Sequence, residues 1–147
     1  MALHVLKLCV GATTIEDLAD WQTSRLALQT AQGKTPRVEH RTFQSPKRQA
    51  DILDGGSLYW VIKGLIQVRQ RIIGFDEGQK DDGTPCCLLL LDRALVPLRP
   101  SPRRPFQGWR YLSADDAPPD LGNAARAAAL AAMTPKMRKD LADLGLL

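Results

Sequence analysis

Two β-rich runs, Ser57-Leu-Tyr-Trp-Val-Ile and Leu65-Ile-Gln-Val-Arg-Gln-Arg-Ile-Ile, are separated only by Lys63-Gly64. So short a connection leaves two solutions, a tight hairpin or a bulge, and both put the segment at the heart of a sheet. The rest of the chain must be built around it. Cys86 to Leu91 is apolar throughout, which suits a central strand covered on both faces, and Asp81-Asp82-Gly83 before it is a turn signal. Leu3 to Val10, closed by Gly11, reads as a first strand rather than a secretory leader, Arg37 to Phe43 as a polar strand, and Leu95 to Leu98 as a short one.

Helices punctuate these strands. Thr14 with Asp17 three residues later resembles a capping box, and Ile15, Leu18, Ala19, Trp21 and Leu26 mark the buried side of the helix it would start. That helix should fade at Gln32-Gly33, since Pro36 forbids its continuation. Ser45-Pro46 places a cap before a proline suited to a first turn, and Gly55-Gly56 would end the short helix between them. Pro100 to Pro105 holds three prolines and is expected as extended, solvated chain before structure resumes over Phe106 to Leu112. Residues 113–123 read as a linker to a helical segment, 123–147, whose Leu130, Met133, Met137, Leu141 and Leu144 form an apolar stripe.

A chain of 147 residues can bury a real core in one domain. Its three cysteines include the adjacent pair Cys86-Cys87, a poor basis for a disulfide framework, so reduced thiols in a cytoplasm are expected. No stretch approaches the length of a membrane span. His4 and His40 are isolated, no spacing resembles a zinc site, and neither GxGxxG nor GxxxxGK[ST] occurs, so neither metal nor cofactor is expected. The acidic pairs Asp76-Glu77, Asp81-Asp82 and Asp115-Asp116 read as solvated turns. The net charge of +4 is concentrated: residues 37–71 carry seven Lys or Arg against three acids, and residues 97–112 carry four Arg against none. Basic character therefore belongs to the middle of the chain.

Two constellations follow from this distribution. In the second β-run, strict alternation puts Gln67, Arg69 and Arg71 on one face and Ile66, Val68 and Ile72 on the other. A two-residue turn then pairs Trp60 with Gln67 and Leu58 with Arg69, which sets Trp60 diagonally beside Arg69, with Lys63 at the tip. The other constellation is Arg99-x-x-x-Arg103-Arg104-Pro-Phe106-Gln-Gly-Trp109-Arg110-Tyr111, in which cations alternate with rings. Arginine and aromatic side chains on one surface can grip phosphates and stack bases. The candidate anion-binding residues are therefore Trp60, Lys63, Arg69, Arg71, Arg103, Arg104, Trp109 and Arg110. The plainer reading makes the arginines solvated or paired with acids, and Phe106 and Trp109 anchors for a loop.

Leu8-Cys9-Val10-Gly11, Gly55-Gly56-Ser57 through Gly64 with Gln67 to Ile72, and Pro102 through Leu112 resemble a bacterial family known as domain of unknown function 1489 over nearly the whole chain. That resemblance implies no activity, cofactor or catalytic residue. Lys63-Gly64-x-x-Gln67-x-Arg69 is similar to a strand signature of the ASCH branch of PUA-like barrels, which implies RNA or modified nucleosides as ligands, although Gln67 stands where an acidic residue is expected. The expected fold is α+β: a small mixed or mainly antiparallel curved sheet or open, PUA-like barrel, with an N-terminal helix and C-terminal helices packed around it.

Three functional expectations compete. The first is a nucleic-acid-binding domain, its ligand RNA, another single strand or a related polyanion, using the arginine and aromatic surface. The second is an enzyme acting on a phosphorylated small molecule or nucleotide, with His40, Tyr59 and Lys63 around one pocket. The third is an adaptor or homodimer joined through the C-terminal helices.

Overall fold

The computed structural model describes residues 3–121; the expected C-terminal helices, and the association assigned to them, lie outside the described residues. Strand β1 (Leu3–Leu8) is followed by α1 (Ile15–Ala31), β2 (Val38–Thr42), α2 (Gln49–Leu53), β3 (Ser57–Ile62), β4 (Leu65–Gln79), β5 (Pro85–Leu91), β6 (Val96–Pro102) and β7 (Trp109–Ser113). The strands form one curved, unclosed seven-stranded sheet in the order β2-β5-β4-β3-β1-β7, with β6 paired to β4 off that path. It is mixed: β1 and β3 run parallel, because α1, β2 and α2 lie between them in the chain, and every other ladder is antiparallel.

Lys63 and Gly64 both adopt positive φ, 50° and 76°, and Ile62 pairs with Leu65, so the connection is a tight two-residue hairpin. The alternative of a bulge at Lys63-Gly64 is not what forms; a bulge that was not expected lies a few residues further on. Trp60 pairs with Val68 and Val61 with Ile66, leaving Gln67 as the extra residue in β4. One inserted residue reverses the alternation beyond it. Ile66 therefore joins Tyr59, Val61, Leu6, Leu98 and Leu112 in one apolar cluster, while Val68 and Ile72 join Trp60, Leu58, Val5, Leu18 and Leu89 in the cluster on the other side. The single apolar face expected for Ile66, Val68 and Ile72 does not exist. Gln67 itself is fully buried, its Nε2 donating to the Ile62 carbonyl at 2.8 Å.

β4 outruns its expected end at Ile73 by several residues. Gly74 and Gly78 allow this: a side chain at either would press on Leu90 or Leu88 of β5, so their bareness lets β5 lie close along a strand that continues through Asp76-Glu77. β5 is an interior strand, next to the edge strand β2 rather than at the centre, and it is covered fully on one face only, since Cys87, Leu89 and Leu91 are buried and Leu88 and Leu90 half-buried. β6 takes in Pro100 to Pro102, the first half of the proline stretch, while residues 103–105 lie outside any strand and are exposed, as expected. Prolines are tolerated at such a sheet margin, where missing donors leave no buried ladder incomplete. Pro118 to Leu121, within the expected linker, are pinned to β6 by Arg99 N–H donating to the Pro119 carbonyl (3.0 Å) and Leu121 N–H to that of Pro97 (2.9 Å).

The first helix begins as its sequence implies. Thr14 Oγ1 accepts from Asp17 N–H at 3.0 Å, and the Asp17 carboxylate reaches back to the Thr13 N–H and hydroxyl at 3.0 and 2.8 Å. Ile15 and Leu18 are buried and Leu26 half-buried, but Trp21 is 42% exposed, so it is not part of the buried stripe. α2 starts at Gln49, later than Ser45-Pro46 implies, and no side chain caps it; the segment just before it is held by the Tyr111 hydroxyl on β7, which accepts from the Lys47 and Arg48 N–H groups at 3.0 and 3.3 Å.

Candidate functional site

Sheet curvature brings the two edge strands toward each other. The chain leaving β2 crosses to β7, where Trp109 Nε1 donates to the Gln44 carbonyl at 2.9 Å, and Lys7 Nζ on β1 donates to the Arg41 carbonyl at 3.3 Å. Between these ties lies a cleft of about 550 Å³ lined by Lys7, Thr42, Phe43, Gln44, Gln107, Gly108 and Trp109. Phe43 is 73% exposed, a large apolar ring left in solvent, and the Lys80 ammonium lies 4.3 Å from its centroid on one side. Trp109 is half-buried and braced edge-on by Tyr111 at 4.8 Å between centroids. Burial holds the Lys7 ammonium below the usual lysine range. No carboxylate lines this cleft among the described residues.

The residues anticipated from sequence are distributed unevenly around it. Trp60 is only 2% exposed, and its indole N–H donates to Gln70 Oε1 at 2.9 Å inside a network in which Gln70 and Gln22 exchange hydrogen bonds. Arg69 stands opposite Tyr59, on the other side of the sheet, because of the bulge at Gln67. The Trp60–Arg69 platform is therefore not formed. Arg69 is instead clamped by Asp120, Nε to Oδ1 and Nη2 to Oδ2 both at 2.7 Å, with Nη1 donating to Ser57 Oγ at 3.1 Å. Arg71 is exposed on the same face as Arg69.

Of the remaining cations, Lys63 and Arg103 lie on neighbouring segments. Arg103 N–H donates to the Gly64 carbonyl at 2.8 Å, so the hairpin tip carrying Lys63 lies beside Arg103, and Arg104 continues into the loop that supplies Gln107 and Gly108 to the cleft. Lys63, Arg103 and Arg104 are exposed and make no ion pair among the described residues. Arg110 points to the opposite face from Trp109, with its guanidinium 5.7 Å from the Phe106 centroid. Sequence reading missed Lys7 and Phe43. Lys7 looks like one interruption in an apolar strand, and Phe43 like the end of a polar one; the only signal was an aromatic ring ending a polar run just before Ser45-Pro46.

His40, Tyr59 and Lys63 do not share a pocket. His40 packs edge-on against Trp60 on the α1 side, Tyr59 is buried on the other face against His4, and Lys63 sits at the hairpin tip. Burial and the nearby charges of Lys7 and Arg25 push the His40 imidazole down to about 3, so it is neutral at physiological pH. His4 is also held low, by burial and by Arg69, and its Nδ1 accepts from Ser57 N–H at 3.0 Å. Cys9 is pushed up to about 11 by burial, which makes it a packing group rather than a nucleophile. Among the described residues no group of three His, Cys, Asp or Glu could hold a metal ion, and no helix is long and apolar enough to cross a membrane.

The Arg69–Asp120 clamp ties the end of the described chain to the hairpin, and it titrates. Hydrogen bonds and charge from Arg69 hold the Asp120 carboxyl below its usual range. A carboxyl depressed by folding contributes stability above its unfolded pKa, about 3.9, and loses it as pH falls through the lower folded value. Discounted for solvent exposure, Asp120→Asn should cost about 1 kcal/mol at pH 7. Urea unfolding of both proteins should show that gap closing as the pH drops below 4, and a gap independent of pH would mean the ion pair contributes nothing.

Fold and site together define a curved mixed sheet whose edges enclose an aromatic and cationic cleft. The family model described as protein of unknown function, DUF1489, matches residues 5–147, and the chain belongs to that family. No curated protein and no solved structure matches it.

Proposed function

We propose that this chain is a non-enzymatic binding domain for single-stranded nucleic acid, with an unpaired base held in the cleft between Phe43 and Trp109. The carrying observation is the pairing of an exposed phenylalanine with a lysine-lined, carboxylate-free concavity of about 550 Å³. Base stacking needs a ring open to solvent, and a phosphate chain needs cations not already neutralised. Lys7 and Lys80 lie at the cleft, while Lys63, Arg103 and Arg104 line the approach. Arg69 and Trp60 drop out of the contact set, the first neutralised and the second buried. The likeness to RNA-associated PUA-like barrels agrees in ligand class, although Gln67 and Arg69, which carry it, are engaged within the fold.

A reducing, cytoplasmic setting suits the reading, since Cys9, Cys86 and Cys87 are buried free thiols. The test is fluorescence anisotropy of a labelled single-stranded RNA or DNA at several salt concentrations. Each phosphate neutralised adds about −0.7 to the slope of log affinity against log salt, so a contact with three phosphates gives about −2. A slope near zero, or no binding at low salt, removes the proposal.

A further inference from the structure

A larger concavity, about 700 Å³, lies along α1 and the edge strand β2, and the nucleic-acid reading makes no use of it. Trp21, Arg25 and Leu28 reach it from α1, where steps of four and three put them on one helix face; Lys34 follows the helix, and His40 and Arg41 come from β2. Its acids are engaged. Glu39 Oε2 is held by Arg37 at 2.9 Å, and Asp81 lies 3.5 Å from Arg41, whose Nη1 also donates to the Gln79 carbonyl at 3.1 Å. Arg25 and Lys34 have no carboxylate partner among the described residues.

Three further features point to an occupant. The Arg25 guanidinium lies 4.7 Å from the centroid of the Trp21 ring, which holds a planar cation in place beside a 42% exposed indole. Leu28 extends the apolar wall and is 57% exposed. Behind them, His40 Nε2 is buried and has no hydrogen-bond partner among the described residues, and the charges it feels most are Lys7 and Arg25, both positive, with Glu39 at the margin. A buried polar atom without a partner beside uncompensated cations is unusual in a finished core.

We infer that this groove is a separate site for a small phosphorylated ligand with a flat body, a mononucleotide being the simplest, whose phosphate is gripped by Arg25 and Lys34 while its ring covers Trp21 and Leu28. A guanidinium meets phosphate through parallel N–H bonds, a geometry lysine lacks, and the volume falls within the range of small-molecule sites, about 300 to 1,000 Å³. The same chemistry serves the 5′-terminal nucleotide of a longer strand. The inference stands whether or not the Phe43 cleft binds nucleic acid.

Calorimetric titration of the full chain with adenosine 5′-monophosphate, adenosine, and a 5′-phosphorylated or unphosphorylated oligonucleotide distinguishes these sources. The monophosphate should bind at least tenfold more tightly than adenosine, and Arg25→Ala, a substitution on an exposed helix face, should remove that difference while leaving the circular dichroism unchanged. The imidazole resonances of His40 supply a second readout. A bound phosphate, singly charged at the acid pH where His40 titrates, offsets Lys7 and Arg25, so the titration midpoint of His40 must rise when the monophosphate is bound. If the 5′-phosphorylated oligonucleotide shows the Arg25-dependent preference and the free monophosphate does not, the phosphate comes from a strand end and the site stands. Absence of an Arg25-dependent phosphate preference in both the monophosphate and the oligonucleotide, a His40 unmoved by whichever of them shows that preference, or a phosphate preference abolished by Phe43→Ala and kept by Arg25→Ala would each overturn it.

Discussion

Gly56→Ala is expected to lower stability by about 3 kcal/mol, an apparent melting temperature lower by on the order of 10 °C, although it adds one methyl group. Gly56 follows α2 and leads into β3, and its N–H donates to the Ile52 carbonyl at 2.7 Å. A Cβ there would overlap the backbone carbonyl oxygens of Leu3 on β1 and Ile52 on α2. Neither is a side chain that can turn aside. Relief requires moving α2 away from the parallel β1–β3 pair, against which Ile52 is fully buried. Gly83→Ala is the control: its φ of 85° disfavours a side chain, but the space around it is open, and the cost should be about 1 kcal/mol. Urea denaturation of both variants decides the matter, and equal costs would mean that steric overlap is not what Gly56 avoids.

Phe43→Ala is expected to weaken single-strand binding about tenfold with no change in stability, because one stacked base contributes about 1–3 kcal/mol and the ring is 73% exposed. Phe43→Trp should retain or improve affinity. Arg104→Ala acts through a different force and should reduce the salt slope by about 0.7 while lowering affinity alike for every sequence. Anisotropy titrations of the three variants separate stacking from charge. Undiminished affinity in Phe43→Ala would place any nucleic-acid contact outside the cleft.

Local signals in this chain were read correctly where a few adjacent residues carry the whole physical requirement. Lys63-Gly64 forms the hairpin tip because two neighbouring positive φ values suffice for the turn, and Thr14 with Asp17 caps α1 through bonds confined to one helical turn. Cys86 to Leu91 is an interior strand, between β2 and β4, because a continuous apolar run has to be paired on both sides rather than left at an edge. Failures began where one residue changed the parity of a strand. The extra Gln67 put Trp60 and Arg69 on opposite sides, and nothing in the composition of β4 announces a bulge, since Gln67 suits an alternating strand equally well. The length of β4 was hidden similarly: Gly74 and Gly78 look like breakers until Leu90 and Leu88 are seen lying against them.

The candidate site was half visible. Arg103, Arg104 and Trp109 announce themselves as a basic, aromatic loop, and their approach to Lys63 depends on a single backbone bond to Gly64. Lys7 and Phe43 did not, because their value lies in what the closing edges of the sheet place beside them.

By itself the amino-acid sequence determined where strands and the first helix begin, where the hairpin turns, and that positive charge gathers in the middle of the chain, all properties of residues near one another. Tertiary structure alone decided which charges remain available. Arg69 is neutralised by a carboxylate 51 residues away, whereas Lys63 and Arg103, on neighbouring segments, are exposed and in no ion pair among the described residues. Electrostatic pairing depends on distance in space, and in a curved sheet that distance is set by register and bulges.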